Sequence, residues 1–359
     1  MSEWGAALRE GCARLKAGMF DPASHEDAIA VLRGEGLKRL ESFIFELLFQ
    51  RGLQHFCSQI SVAYGWYVVS ATEEAAPLWI KLENEPLRPV DEQLIAFLDR
   101  VDCSILRVRY SEDIRDFLGT WRKDKNWLHE EQLAQLLTEN FGAARPVSGP
   151  KSAPIQQAQA ALDQLLGRLT NEERRALVLS RMLINCYIVP FLKTQPMDLD
   201  AVVLNEAGTL HFLEFKRKYP TASYEFGLDD LPHVALAEWL LKRGKTLSNI
   251  VLCDPLWNKN ISPLHLLPTS ATRPYAYWLG IHLTPEIIAT SSRLKTQGKD
   301  SGMYSGDRFQ IGISVDKYVV LGRSFSPKGL LAFINDEDLP QVNRDDLLSA
   351  RNIARQHTL

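Results

Sequence analysis

Four side chains in one short stretch could act together chemically: Asp198 and Asp200, then Glu214 and Lys216. On extended backbone, residues two apart share a face, so each pair points one way, and if the two stretches pair as strands the acids converge. Two or three carboxylates and a lysine are the minimum set for metal-dependent phosphodiester hydrolysis. That reaction requires a divalent cation on oxygen ligands, an activated water and a positive group near the developing charge. The surrounding residues fit this reading. Asp200 opens the apolar run Ala201 to Leu204, Leu213 and Phe215 alternate with Glu214 and Lys216, and Asn205 to Gly208 supply a turn in which glycine can take positive φ.

Elements able to hold these residues lie on both sides. Thr170 and Glu173 form a capping box, which predicts a helix from Asn171 through Met182 and Cys186 to about Ile188, with Pro190 as its stop. Asp229 or Asp230 can cap a second helix with Pro232 in its first turn, running through Trp239 and ending at Gly244. Ser248 to Cys253 reads as a buried strand. The order is helix, strand, strand, helix, strand.

That order and those residues resemble the catalytic core of the PD-(D/E)XK nuclease superfamily, the restriction-endonuclease-like fold, over about residues 156 to 255. The resemblance implies an α/β protein with an α/β/α core around a mixed central sheet. It implies catalytic Asp200, Glu214 and Lys216, and Mg²⁺ or Mn²⁺ held by Asp200, Glu214 and the backbone carbonyl of Phe215. The family places its aspartate directly before an apolar run, so Asp200 is preferred and Asp198 stands in reserve. The family's leading helix often carries a glutamate; the helix from Asn171 has none after Glu173, leaving Asn185 as the polar residue that could face the site. Its second core helix often presents a polar residue to the site, here His233 or Glu238. His233 is counted with Arg217 and Lys218 as a substrate contact, since basic residues continuing the strand beyond Lys216 suit phosphates. The implied activity is cleavage of nucleic acid, DNA rather than RNA, in restriction, repair or defence against mobile elements. The competing reading is a protein that kept the fold and binds or scaffolds without cutting.

The rest of the chain predicts an α+β N-terminal domain over residues 1–145, a Pro-, Gly- and Ser-rich linker near 141–154, and a nuclease domain over 155–359. Leu37, Leu40, Phe43, Ile44, Leu47 and Leu48 mark an amphipathic helix over about 35–52; strands are expected at 60–70, 78–82 and 103–110, with a helix at 90–101. This domain would recognise substrate or hold a protein partner, and a homodimer is compatible with the arrangement. A net charge of -3 excludes a protein that coats nucleic acid by bulk positive charge. Five cysteines without a Cys-x-x-Cys pair predict reduced, buried thiols. With no leader and no apolar run near the ~20 residues of a membrane span, the expected location is the cytoplasm, away from membranes. Phosphate-loop, His-Glu-x-x-His and Gly-x-Ser-x-Gly motifs are missing. Two basic, aromatic segments remain. Arg293, Lys295, Lys299, Arg308 and Lys317, mixed with Tyr304, Phe309 and Tyr318 around a loop at Ser301 to Gly306, could grip a backbone or stack a base, with a solvated loop before a strand at 309–315 as the simpler reading, and Trp121 to Trp127 has the simpler reading of a loop docked on the core. His211, on the face of Leu213 and Phe215, is expected to be a core or interface histidine.

Overall fold

The computed structural model describes residues 3–33, 42, 45–46, 49–50, 52–53, 60–69, 76–146, 163, 166–167, 169–194, 196–257, 275–297, 307–323 and 327–356. The six residues that mark the apolar stripe of the expected 35–52 helix lie outside these, as do Lys299 and the Ser301–Gly306 loop; Ser42, Phe45, Glu46, Phe49, Gln50, Gly52 and Leu53 are helical. The strands are β1 Ser61–Ala63, β2 Trp66–Val69, β3 Leu78–Glu83, β4 Ile105–Ser111, β5 Asp116–Lys123, β6 Asn126–Trp127, β7 Glu131–Gln132, β8 Met197–Leu199, β9 Ala201–Leu204, β10 Leu210–Lys218, β11 Glu225–Asp229, β12 Leu247–Cys253, β13 Tyr277–His282, β14 Ser292–Gln297, β15 Asp307–Ser314 and β16 Val319–Gly322.

The chain is α/β. One sheet runs β1-β9-β10-β12-β13-β16, mixed because β10 and β12 are parallel and the other neighbours antiparallel; a second runs β6-β5-β4-β3-β2-β8, with β7 beside β5. A small antiparallel sheet orders β11-β15-β14. The parallel β10–β12 pair needs a crossover, which helix Ala235–Leu241 provides.

The two large sheets are joined by one kinked ladder. Val62 pairs with Val203 and Ala63 with Val202 in the first sheet, while Trp66 pairs with Leu199 and Tyr67 with Asp198 in the second. The register is the same on both sides of the break, so Gly65 falls opposite Asp200. The strand expected at 60–70 is therefore two strands, parted where Gly65 adopts φ +71°. Gly65 O accepts from Leu82 N at 2.8 Å and Tyr64 O accepts from Lys81 Nζ at 2.7 Å. A Cβ on Gly65 would lie 2.9 Å from Leu82 O. Beneath the kink, Asp91 accepts from Trp66 Nε1 and Lys81 Nζ, fixing the start of helix Pro89–Arg100 under both strands.

Apolar alternation along the strands sets the layers. Phe212, Val202 and Val251 pack on one side of the first sheet with Phe97 of helix Pro89–Arg100 and Trp239 of helix Ala235–Leu241. Leu213, Phe215, Val203 and Ile250 pack on the other with Phe45, Phe49 and helix Pro327–Ile334. The second sheet shares the first of these cores through Trp66 and Trp79, and its other face meets helices Glu3–Lys16, His25–Arg33, Leu133–Phe141 and Asn171–Met182. Both ladders thus cross the expected division between 1–145 and 155–359: β1 and β2, from before the linker, pair with β9 and β8, from after it.

The Thr170 capping box forms, with Glu173 N donating to Thr170 Oγ1 at 3.2 Å and Thr170 N to Glu173 Oε2 at 2.8 Å. Pro190 does not stop that helix. A π-helical turn at Leu183–Ile188 precedes it and the helix ends at Leu192, before Lys193 in the left-handed region. The wider turn relieves the clash that a helical proline makes with the carbonyl four residues back. This Asn171–Leu192 helix, among the described residues, is long and apolar enough to cross a membrane, contrary to expectation, but most of it is covered by the protein. Its interior carries a second correction. Cys186 is disulfide-bonded to Cys12, which ties helix Glu3–Lys16 to the π turn; Cys103 and Cys253 are buried thiols as expected. Spacing along the chain could not reveal that bond, because its partners are 174 residues apart.

Candidate active site

Asp200 occupies the bend between β8 and β9, where the chain leaves one sheet for the other. Asp198 lies on β8, opposite Tyr67 in the second sheet. The two aspartates therefore do not share one regular strand face. The Asn205–Gly208 turn forms as expected, with Gly208 at φ +74° and Asn205 Oδ1 accepting from Thr209 N at 2.8 Å, and it sets Leu213 opposite Ala201. That register brings Asp200 beside β10, and its Oδ2 accepts from Phe215 N at 2.5 Å. On β10 the alternation places Glu214, Lys216 and Lys218 on one face, with Leu213 and Phe215 on the other.

Asp200 and Glu214 are both buried. Lys216 Nζ is ion-paired to Glu214 Oε1, and His233 Nε2 lies 2.8 Å from the same oxygen. Glu214 Oε2 is buried and has no hydrogen-bond partner among the described residues. Asn249, opposite Glu214 on β12, donates to Glu214 O at 3.4 Å and accepts from Tyr318 OH at 3.0 Å, bracing the strand from its parallel neighbour.

A third acid comes from the expected N-terminal domain, residues 1–145. Glu46 sits in the helical residues between 42 and 53, close enough for Asp198, Glu214, Lys216 and Arg181 all to act on its charge. Phe49, one turn later, seats this helix on the back of β10, its ring 3.7 Å from that of Phe215. Gln50 Nε2 then donates to Asp200 O at 3.0 Å, and Tyr64 OH to Gln50 O at 3.1 Å. The expected leading helix, starting at Asn171, contributes the buried Arg181 rather than an acid. Asn185, in the π turn, is buried in the same helix.

The electrostatics follow from this crowding. Burial, then Asp198, pushes the Glu46 carboxyl up to about 8. Burial, then Glu214 and Glu46, pushes Asp200 well above the usual carboxylate range. Burial would raise Glu214 too, but the charge of Lys216 and the charge and hydrogen bond of His233 outweigh it and hold Glu214 down to about 2. Burial opposes the charge on Lys216, yet Glu214 and Asp200 keep it protonated above its ordinary value. The local cation has settled on Glu214, and the neighbouring acids carry the cost as retained protons.

The donors suit a hard divalent cation, being carboxylate oxygens with one, Glu214 Oε2, unspent. Among the described residues, however, no three His, Cys, Asp or Glu side chains converge as a metal cluster. Lys216 and His233 both engage Glu214 Oε1, and Asp200 Oδ2 is taken by a backbone amide.

The other expected site residues divide. His233, not Glu238, is the group of the second helix region on Glu214, but it is buried against that carboxylate rather than open to a substrate. Arg217 is buried in an ion pair with Asp254, Nε to Oδ2 2.9 Å, and is likewise withdrawn from substrate; an odd position on β10 turns it to the opposite face from Glu214. Lys218 is partly exposed and donates from Nζ to Gly227 O at 2.5 Å. The Trp121–Trp127 segment takes its simpler reading: Trp121 packs on Phe141, and the Trp127 ring lies beneath the guanidinium groups of Arg107 and Arg122. His211 is buried near Asn205. Glu46 carried one signal in the sequence, an acid flanked by Phe43, Ile44, Phe45, Leu47, Leu48 and Phe49. Arg181 carried the same signal in reverse.

Compared with protein families, with curated proteins and with solved structures, the chain has no match in any of the three.

Proposed function

We propose that this chain is a metal-dependent nuclease with a restriction-endonuclease-like core, acting on DNA in preference to RNA, with Glu46, Asp200, Glu214 and Lys216 as its active site. The observation that carries the reading is the excess of buried acid at one point: Asp200 and Glu46 pushed upward beside a Glu214 with an unspent buried oxygen. Burying carboxylates without enough counter-charge is unfavourable unless a ligand supplies it. The order of elements adds support. β9, β10, the helix Ala235–Leu241 and β12 keep the strand, strand, helix, strand order expected of that core, with β11 added before the helix, and a helix bearing Glu46 and the strand β1 precede them, residues 64–200 lying between β1 and β9.

When bound, Mg²⁺ or Mn²⁺ would polarise the phosphate and lower the pKa of an attacking water. Asp200, Glu214 and the Phe215 carbonyl would hold it, with Glu46 the third acid in place of the reserve Asp198. Lys216 would pass from Glu214 toward the phosphate and stabilise its charge. His233 would keep Glu214 ionised and oriented while Lys216 is away. The inserted sheet would serve recognition of substrate or of a protein partner, and restriction, repair or defence against mobile elements is the setting such an enzyme suits. The competing reading, a binding or scaffold protein on the same fold, draws on the Lys216–Glu214 pair, which neutralises the site without any cation.

Purified protein incubated with plasmid, single-stranded DNA and RNA, with Mg²⁺, Mn²⁺ or EDTA, decides between them. Cleavage that requires the cation and falls at least ~100-fold in both Glu214→Gln and Lys216→Ala supports the nuclease. Full activity in either variant removes the assignment, and metal-independent binding without cleavage favours the scaffold.

A further inference from the structure

The three basic residues at the end of β10 have different fates. The charge of Lys216 is spent on Glu214, and that of Arg217 on Asp254. Lys218 meets neither acid. Its ammonium has three donors, of which one is used, on the carbonyl of Gly227 in β11. Among the described residues no carboxylate lies within ion-pairing distance of it. Burial, then the like charge of Lys216, lowers Lys218 to about 8, although Asp229 and Glu214 act in the other direction. An ammonium so placed lacks an anion.

Its position specifies the anion. Lys218 is the next residue after Lys216 on the Glu214 face of β10, displaced by two strand steps, about 6.7 Å. Successive phosphates along one nucleic-acid strand are separated by a similar distance. We propose that Lys218 is a phosphate-binding residue of a second subsite, which takes the phosphate adjacent to the scissile one, so that the cut strand runs along β10 from Lys216 toward β11. The inference rests on the nuclease reading and deepens it, by requiring a polynucleotide with a phosphate beside the bond to be cut rather than a lone phosphodiester. It also separates Lys218 from Arg217, its neighbour in sequence, which is locked in an internal ion pair.

The test uses the full-length protein and Lys218→Gln, whose amide can still donate to Gly227 O without the charge, with Lys218→Arg as the charge-restoring variant. Cleavage kinetics are measured on an oligonucleotide and on a dinucleotide having only the scissile phosphate, and equilibrium binding to the oligonucleotide is measured in EDTA across a salt series. For Lys218→Gln the expected result is an oligonucleotide KM raised about 10-fold, an effect larger on KM than on kcat, and little change on the dinucleotide. The slope of log affinity against log salt should lose about 0.7 to 0.9, the share of one phosphate contact, and Lys218→Arg should recover both. Unchanged KM and salt slope in a Lys218→Gln protein with wild-type melting temperature would overturn the subsite, as would equal losses on the two substrates. If the wild type cleaves nothing yet binds with a slope that depends on Lys218, Lys218 stands as a phosphate-binding residue while the nuclease reading, and with it the scissile neighbour, falls. If it neither cleaves nor binds, both fall.

Discussion

Glu46 keeps its proton at neutral pH, because burial and Asp198 push its carboxyl up to about 8. The sign of the consequence is set by linkage. A carboxyl whose folded value exceeds its unfolded one contributes its stability at low pH and loses it as pH rises, here between about 4.5 and 8. Glu46→Gln mimics the protonated form at all pH values. It should therefore match the wild type near pH 4.5 and surpass it increasingly toward pH 9, by an amount on the order of a few kcal/mol, as read from melting temperatures across that range. If Mn²⁺ binds as proposed it should raise the wild-type melting temperature at pH 8, and the same substitution should abolish that rise. A variant no more stable at pH 9 than at pH 5 relative to wild type would show that Glu46 is not buried among acids. This residue marks the limit of reading a site from adjacent positions. Glu214, Lys216 and Asp200 were legible because strand alternation places residues two apart together, and a turn with glycine places two strands together. Glu46 lies 168 positions before Glu214, and packing of Phe49 on Phe215 together with the Gln50–Asp200 hydrogen bond brings it near.

At the scale of elements, the site depends on a kink rather than a strand. Gly65 and Asp200 face one another where the β1–β2 and β9–β8 ladder passes between sheets, and the backbone bend there turns Asp200 toward β10. Gly65 is held at φ +71° with Leu82 O too close to admit a Cβ. Gly65→Val should cost at least about 2 kcal/mol, since a β-branched residue at positive φ is strained and would also strike that carbonyl. Because the displacement would pass to Asp200, any cation-dependent cleavage should fall further than the folded fraction does, which circular dichroism and activity measured on the same sample would reveal. Wild-type melting and activity would mean the bend is set elsewhere. Residues 60–70 have the pattern of one strand because Ile60, Val62 and Tyr64 before Gly65 and Trp66, Tyr67, Val68 and Val69 after it all favour extended backbone. Nothing local says that the two halves belong to different sheets. The Thr170 capping box and the Asn205–Gly208 turn were legible for the opposite reason, since their hydrogen bonds close within four residues.

For the whole molecule, the proline-rich segment near 141–154 is not where the structure divides. The fragment 155–359 lacks β1, β2 and Glu46, leaving the edges of β9 and β8 unpaired. It should be insoluble or lack cooperative melting when expressed alone, whereas a compact fragment with a sharp transition would restore the two-domain reading. The Cys12–Cys186 bond supplies a second long-range tie. By loop-closure entropy a link across 174 residues contributes about 5 kcal/mol at most, so a reductant should lower the melting temperature of the wild type but not that of Cys12→Ser. Equal melting with and without reductant would place the bond outside the folding equilibrium. Taken by itself, the sequence determined that Asp200 begins the strand paired with the one bearing Glu214 and Lys216, the α/β class and the Thr170 helix cap, because each follows from spacing of a few residues and from periodicity along one element. Only the tertiary structure decided that residues 64–200 interrupt one sheet to build another, that Glu46 and Arg181 complete the acidic site, that Arg217 is withdrawn into an ion pair while Lys218 is not, and that two distant cysteines meet. These depend on which elements pack together across the chain, and apolar faces that are interchangeable in pattern do not specify their partners until the whole core is assembled.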